Sequence, residues 1–508
     1  LGDGAADYDE QLYSVIWQGW LAGEMPYRDM WDRKPPGLFA MFAAMHWVGG
    51  PSPLSYQIPG LLCTIAAALM VFSMAQRIGT HFGALIVSVL FLLNIPLFIL
   101  HLGQSETYLM PLLLGQLLLM ERVFANNDPA KVHRLLCAVM LLGGISLQVK
   151  YSALPFCAMF AGMAIWRLWQ LQTPVIRIVA KIAVYGVLGL LPTLAFAVYF
   201  ASHGELWTFI FANFISIMER GPLDPDRVVR FGVHIVVAAV PLLVFAGLGW
   251  AQARKRKEGI DRRLLNLTIA FAAAGGASLL MLGAAFVHYF GPLLPFLLLL
   301  AAPFFSFYKS HRLFAGVAVI LAIICASFGE QIERTSSSRA AIPALVNAIQ
   351  THVPVEECLL VFDGPSVLYA QTGNCIPTRL VFPDHLTSPR ERPALDVDVV
   401  EETARIMATR PGAVVISDGH GGERFIAETA QIVTDGLLAD YVLAERTFLY
   451  PRFIELYIRA DLAPAQTGPF ASVPCAMREN NLCNLFTKFS ETDETLSGSL
   501  PLTPGSRE

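Results

Sequence analysis

The chain has 508 residues, of which 55% are hydrophobic and only 15% charged, and its formal net charge is −4. Soluble domains carry about 25% charged residues, so an ordinary soluble protein is excluded, and a mildly negative balance offers nothing to a nucleic acid. The mean hydropathy of +0.53 comes from apolar runs of roughly 17 to 24 residues, the length that crosses about 30 Å of hydrocarbon as helix. The chain reads as a mainly α polytopic membrane protein with a C-terminal soluble α/β domain.

Residues 1–55 form a charged, aromatic opening stretch. Leu12, Val15, Ile16, Trp20 and Leu21, with Tyr13 and Trp17, fall on one broad helical face, which predicts an interfacial helix lying in the headgroup plane. Asp9 and Glu10 stand at its N-terminus, where the helix dipole favours carboxylates. Capping alone accounts for them, and so does chemistry. A turn at Gly23 and Pro26 leads into PYRDMWDRKPPG. Lys34 precedes proline, which pushes its backbone into an extended conformation, and the Pro35–Pro36 pair holds the neighbouring chain stiff. The ammonium then projects from a rigid platform suited to a lipid phosphate. The other reading is a lysine that snorkels to the interface. The apolar stretch 37–48 is too short to span and is expected as a juxtamembrane or re-entrant helix. Because the charged stretch begins abruptly, a further membrane helix is expected ahead of Leu1.

Residues 56–334 are expected to hold ten spans, at about 56–76, 82–100, 107–121, 134–149, 152–170, 177–200, 231–250, 264–283, 290–307 and 312–329. Alternate loops and span edges are rich in Arg and Lys: Arg77, then Arg122, Lys131 and Arg134, then Arg167, Arg177 and Lys181, then the run 254–257 with Arg262 and Arg263, then Lys309 and Arg312. These outnumber the basic residues of the opposite set, so their side is cytoplasmic. The opening stretch, the turns holding Glu106, Lys150 and His288, the loop 201–230 and the C-terminal domain then share the external face. The span centres carry almost no charge, whereas transporters keep ionisable residues near the midplane. A lipid-linked-glycan flippase or other transporter is the alternative reading, and a scaffold without activity is a third.

Each external polar residue has a structural reading beside a functional one. Ser105 and Glu106 suit a helix N-terminus, and Lys150 suits a helix C-terminus. Tyr289, beside His288, suits an aromatic belt. The loop 201–230 reads as an amphipathic helix and then a turn, with Asp224, Asp226 and Arg227 as solvated turn residues.

Residues 335–460 read as an α/β unit. CLLVFD and AVVIS are expected as buried strands, FIELYIRA as a late strand, and IPALVNAIQTHV and EETARIMATR as helices. The glycine-rich turn SDGHGGER lacks a phosphate-binding signature. The tail 461–508, rich in Pro, Ser and Thr, is expected to be poorly ordered. Cys63, Cys137, Cys157 and Cys325 fall in spans as packing residues. Cys358 with Cys375 and Cys475 with Cys483 is one of three connectivities open to the external four.

The order Asp9–Glu10, Tyr13, Gly23, Pro26–Tyr27–Arg28–Asp29, Lys34–Pro35–Pro36 resembles the first external loop of one family. That family is the GT-C glycosyltransferases that use polyprenyl-phosphate sugars, in the glycosyltransferase family 39 branch of bacterial protein O-mannosyltransferases and lipid A aminoarabinose transferases. The resemblance implies an inner-membrane enzyme with its active site facing the periplasm. It would transfer sugar with inversion from a polyprenyl phosphate to lipid A, another envelope glycan or a protein. Asp9 would be the general base, with Glu10 and Glu106 as further catalytic carboxylates. Lys34, Lys150, His288 and Tyr289 would hold the donor phosphate. No cofactor is implied beyond the lipid-linked donor as substrate, no metal ligands are assigned, and dependence on a divalent metal is left open.

Overall fold

The computed structural model describes residues 1–463 apart from 6, 223–224, 257, 282–285, 328–330 and 419–424. Asp224, the side chains of Asp226 and Arg227, most of the glycine-rich turn, Cys475 and Cys483 and nearly all of the tail lie outside the described residues. The chain divides into two compact units, Leu1–Ser336 and Ser337–Glu508.

The first unit is helical. Helix α1 (Tyr8–Leu21) starts where the Asp7 side chain accepts the Asp9 N–H, as an N-cap does. Helix α2 (Pro36–Gly49) has proline in its first turn, where the missing N–H costs nothing. Its Phe39 and Phe42 are fully buried, while Trp47 and Val48 are exposed, so the stretch 37–48 is a helix half sunk into the protein. Beyond it come α3 (Leu54–Ile78), α4 (His81–Leu97), α5 (Ser105–Ala125), α6 (Pro129–Val149), α7 (Leu154–Gln170) and α8 (Val175–Ser202). A broken segment comes next: α9 (Leu206–Ile210), a π-helical turn (Phe211–Ile215) and α10 (Ser216–Glu219). The unit continues with α11 (Pro225–Lys255), α12 (Arg262–Met281), α13 (Leu294–Phe307) and α14 (His311–Ser327).

Among the described residues, seven helical segments are long and apolar enough to cross a membrane. The two spans that looked short, 107–121 and 134–149, extend into their flanks and reach 21 residues each. Three of the ten expected spans instead form the shorter apolar helices α4, α13 and α14. Helix α13 shows why length misleads. It is buried from Leu294 through Ser306, so its apolar side chains pack against the other helices of this unit. Helix α8 is its opposite, with Tyr185 and Phe200 buried and the rest half-buried or exposed.

The second unit takes in most of α15 (Gln331–His352) and a small mixed sheet. Its strands are β1 (Leu359–Val361), β2 (Ala413–Ser417), β3 (Tyr441–Leu449) and β4 (Arg452–Arg459), in the order β1-β2-β4-β3. The β1–β2 pair is parallel and the other two are antiparallel. The expected strands correspond to β1, β2 and β4. Strand β3 was missed because it lies at the sheet edge with Glu445 and Arg446 in its middle, and no buried apolar run marks it. Cys358 and Cys375 form a disulfide. At the ends of β1 and β2, Arg452 Nη1 donates to both oxygens of Asp363 at 2.8 Å and to Ser417 Oγ at 2.9 Å.

Candidate functional site

The opening stretch folds back on itself so that Lys34 meets the start of α1. Its Nζ donates to Asp9 Oδ1 at 3.0 Å, lies 3.5 Å from Asp32 Oδ2, and stands 5.1 Å above the Tyr13 ring. Asp9 and Tyr13 are four residues apart and so share a helix face. Asp32 stands two residues before Lys34 in the irregular chain that leads into α2. Burial disfavours charge on Lys34, but Asp32 and then Asp9 outweigh it and raise the ammonium above its ordinary range. Burial likewise works against Asp9, yet the charge of Lys34, with help from Lys150, holds its carboxyl well below the usual range. Both are ionised at neutral pH.

The residues before Lys34 build its platform. Tyr27 is fully buried, adopts a left-handed backbone with φ of 70°, and gives its N–H to Met30 O at 2.8 Å. Its hydroxyl donates to Lys34 O at 2.7 Å. A non-glycine residue in that conformation costs about 1–2 kcal/mol, which burial and two hydrogen bonds offset. Asp29 accepts from Met25 N at 2.7 Å and pairs with Arg28 at 2.6 Å. Arg28 also lies 3.5 Å from Glu205. The PYRD segment thus shapes the loop, and its arginine points away from Lys34.

A second cluster faces the first. Glu106, in the first turn of α5, forms an ion pair with Lys150, the residue just past α6. His288 Nε2 is 3.9 Å from the same Glu106 oxygen, and Lys150 Nζ is 4.9 Å from the centre of the Tyr289 ring. Burial, against the opposing pull of Glu106, lowers His288 below its ordinary value, so it is neutral at pH 7. A close approach of backbones joins the clusters. A Cβ on Gly37 would stand 2.9 Å from Gln148 O, so only glycine lets the start of α2 meet the end of α6. Lys34 and Lys150 are carried on those two ends.

Glu10 is not brought to either lysine. One helical position from Asp9, it turns to the protein side, fully buried, where a Cβ on Gly103 would lie 2.6 Å from its own Cβ. Neither carboxyl oxygen finds a hydrogen-bond partner among the described residues. Burial, then the charge of Asp7, raises its pKa well above the ordinary glutamate range, which favours the neutral acid. Asp7 accepts from Gln104 Nε2 at 2.7 Å and lies 3.7 Å from His101 Nε2. Burial pushes His101 down to about 4.

The sequence reading missed Asp32, Asp7 and His101. Asp32 was within reach, because it stands only two residues from Lys34 in the same charged stretch. His101 and Asp7 carried no local signal. Among the described residues, no group of three or more His, Cys, Asp and Glu side chains is arranged to hold a metal ion.

No family model matches the sequence, and none of the curated protein sequences compared with it does. Its three-dimensional structure is similar to that of ArnT from Cupriavidus metallidurans bound to undecaprenyl phosphate. The TM-score is 0.57 at 13% sequence identity, over 90% of this chain and 94% of that one. The apo state of the same protein gives 0.56 at 13% identity, with the same coverage. The fold of this multi-pass chain is therefore the ArnT-like GT-C fold.

Proposed function

We propose that this chain is a membrane glycosyltransferase that moves a sugar, with inversion, from a polyprenyl phosphate to an acceptor on the external face of a bacterial inner membrane. The observation that carries this reading is the Lys34–Asp9 ion pair opposite the Lys150–Glu106 pair, on a fold like that of a protein crystallised with undecaprenyl phosphate.

The acceptor hydroxyl attacks the anomeric carbon as the bond from that carbon to the phosphate oxygen breaks. The lipid phosphate leaves with the electron pair, and the hydroxyl proton passes to Asp9. Such an attack gains from a positioned carboxylate, and the departing anion gains from fixed positive charge. Lys34 meets the phosphate first, Lys150 and Tyr289 line its other side, and neutral His288 offers a ring N–H. Glu106 orients Lys150. A phosphate that takes over Lys34 releases Asp9 from its ion pair, so the carboxylate becomes a better base once the donor is bound. Glu10, buried and turned away, leaves the base role to Asp9.

The test is purified protein in lipid with radiolabelled polyprenyl-phosphate sugars and lipid A, glycan or protein acceptors, wild type beside Asp9→Asn. Sugar transfer by the wild type and its loss in the variant are expected. Transfer that persists unchanged in Asp9→Asn removes Asp9 as base, and no release from any donor returns the chain to the transporter class.

A further inference from the structure

The broken helical segment 206–219 touches both lysine-bearing stretches, and one of its side chains makes polar contact with each. Its middle turn, Phe211–Ile215, is π-helical, a form that is rare and concentrated at functional positions. That turn carries Asn213, 2% exposed. The amide is held by its own helix, since Nδ2 donates to Phe209 O at 2.9 Å. Its Oδ1 accepts from the Tyr151 hydroxyl at 2.6 Å. The Tyr27 hydroxyl stands 3.4 Å from the same oxygen while donating to the carbonyl of Lys34. Tyr151 is the residue after Lys150. One amide oxygen therefore meets one tyrosine from each lysine segment. Ring contacts repeat the pattern, with Phe211 5.7 Å from Trp31 and Phe214 6.1 Å from Tyr151.

We infer that Asn213 is a positioning residue that sets the spacing of Lys34 and Lys150, with the segment 206–219 as the strap through which it acts. This rests on the reading of both lysines as grips for one lipid-linked phosphate. Two ammonium groups serve one phosphate only if their separation is held, because misplacement by about 1 Å forfeits much of the gain from fixed charge. The residue type fits the task. A neutral amide accepts from phenol hydroxyls without adding a negative charge that would compete with phosphate for the lysines.

The experiment uses the full chain in lipid nanodiscs with two readouts. The first is the rate at which an amine reagent labels Lys34 and Lys150, monitored by mass spectrometry, with exposed Lys131 as the internal reference. The second is binding of undecaprenyl phosphate without sugar. Asn213→Leu is expected to speed labelling of Lys34 and Lys150 together severalfold, to leave Lys131 unchanged, and to weaken phosphate binding about tenfold. Tyr27→Phe and Tyr151→Phe keep the ring packing and should each reproduce the effect at their own lysine, which preserves the test if Asn213→Leu does not fold. Asn213→Asp should keep both lysines protected yet still lose phosphate binding. Unchanged labelling of either lysine in Asn213→Leu, or a rise that includes Lys131, overturns the inference. If the wild type fails to bind the phosphate while both lysines still respond to Asn213→Leu, the proposed function falls and the role of Asn213 stands. Binding by the wild type without that coupled response ends the role of Asn213 alone.

Discussion

Two of the ion pairs in this molecule have opposite surroundings. In the second unit, Asp363 and Arg452 have side chains 1% and 9% exposed, and Ser417 completes their hydrogen bonding. In the first unit, Asp9 and Lys34 are 19% and 25% exposed, and Lys34 faces Asp32 and the Tyr13 ring as well as its partner. The Asp363–Arg452 pair is buried and shares a hydrogen bond with Ser417, so it serves as a strut. The Asp9–Lys34 pair is more open, and under the proposed function it exchanges its partner for an incoming anion. A site and a strut can be built from the same chemistry, and what separates them is how much of each charge is still available.

Six substitutions test that contrast. Asp9→Asn and Lys34→Ala should each lower sugar transfer by about 10²- to 10⁴-fold, with thermal unfolding close to that of the wild type. A large fall in melting temperature with unchanged transfer would make this pair a second strut. Arg452→Met leaves Asp363 buried without its partner and should cost about 3–5 kcal/mol, read as earlier thermal unfolding of the intact chain. Adding Asp363→Leu should recover most of that loss, and a double variant no better than the single one would show that the pair is more than a strut. Gly37→Ala should cost about 1–3 kcal/mol, because the backbone of Gln148 must yield, and it should raise KM for the donor by separating the lysines. An exposed pair sets the lower limit of the scale. Arg405→Ala breaks the contact with Glu402, whose partners are 53% and 17% exposed, and should move unfolding by no more than about 0.5 kcal/mol.

Glu10 gives a further prediction, and its sign comes from linkage. Its carboxyl is raised in the folded chain, so the unfolded chain binds fewer protons above the ordinary glutamate value of about 4.3, and stability is lost as pH rises past it. Glu10→Gln should therefore stabilise the protein at neutral pH, measured as a higher melting temperature, and the advantage should vanish below about pH 4. A variant that is less stable at pH 7 would show that the carboxyl is ionised and paired.

Much of the first unit was legible because its signals are local. The 3.6-residue period of α1, the proline that opens α2 and the apolar runs of α3, α8 and α11 all lie within a few turns of chain. The partners of Lys34 were less legible. The sequence places Asp9 and Glu10 side by side, and only packing decides that one faces a lysine and the other a wall at Gly103. Lys150 and Glu106 drew attention singly, but nothing between them in the chain says that they pair. The shortness of α13 was hidden because an apolar core helix and a membrane span have the same composition. Strand β3 was hidden because half of an edge strand looks like surface.

Helix α8 has a consequence for depth. Its 28 residues rise about 42 Å, more than the roughly 30 Å of a bilayer's hydrocarbon. Arg177 and Lys181 occupy its first two turns, and the remainder beyond Lys181 matches the bilayer with little to spare. At the far end, Tyr199 accepts a hydrogen bond from Trp20 Nε1 at 2.9 Å, which ties α1 to the end of that apolar length. The helix works as a ruler. It fixes the Trp20 end of α1 near the limit of that apolar length, and under the proposed function this is the level at which a lipid-borne phosphate would be met without being drawn out of the leaflet.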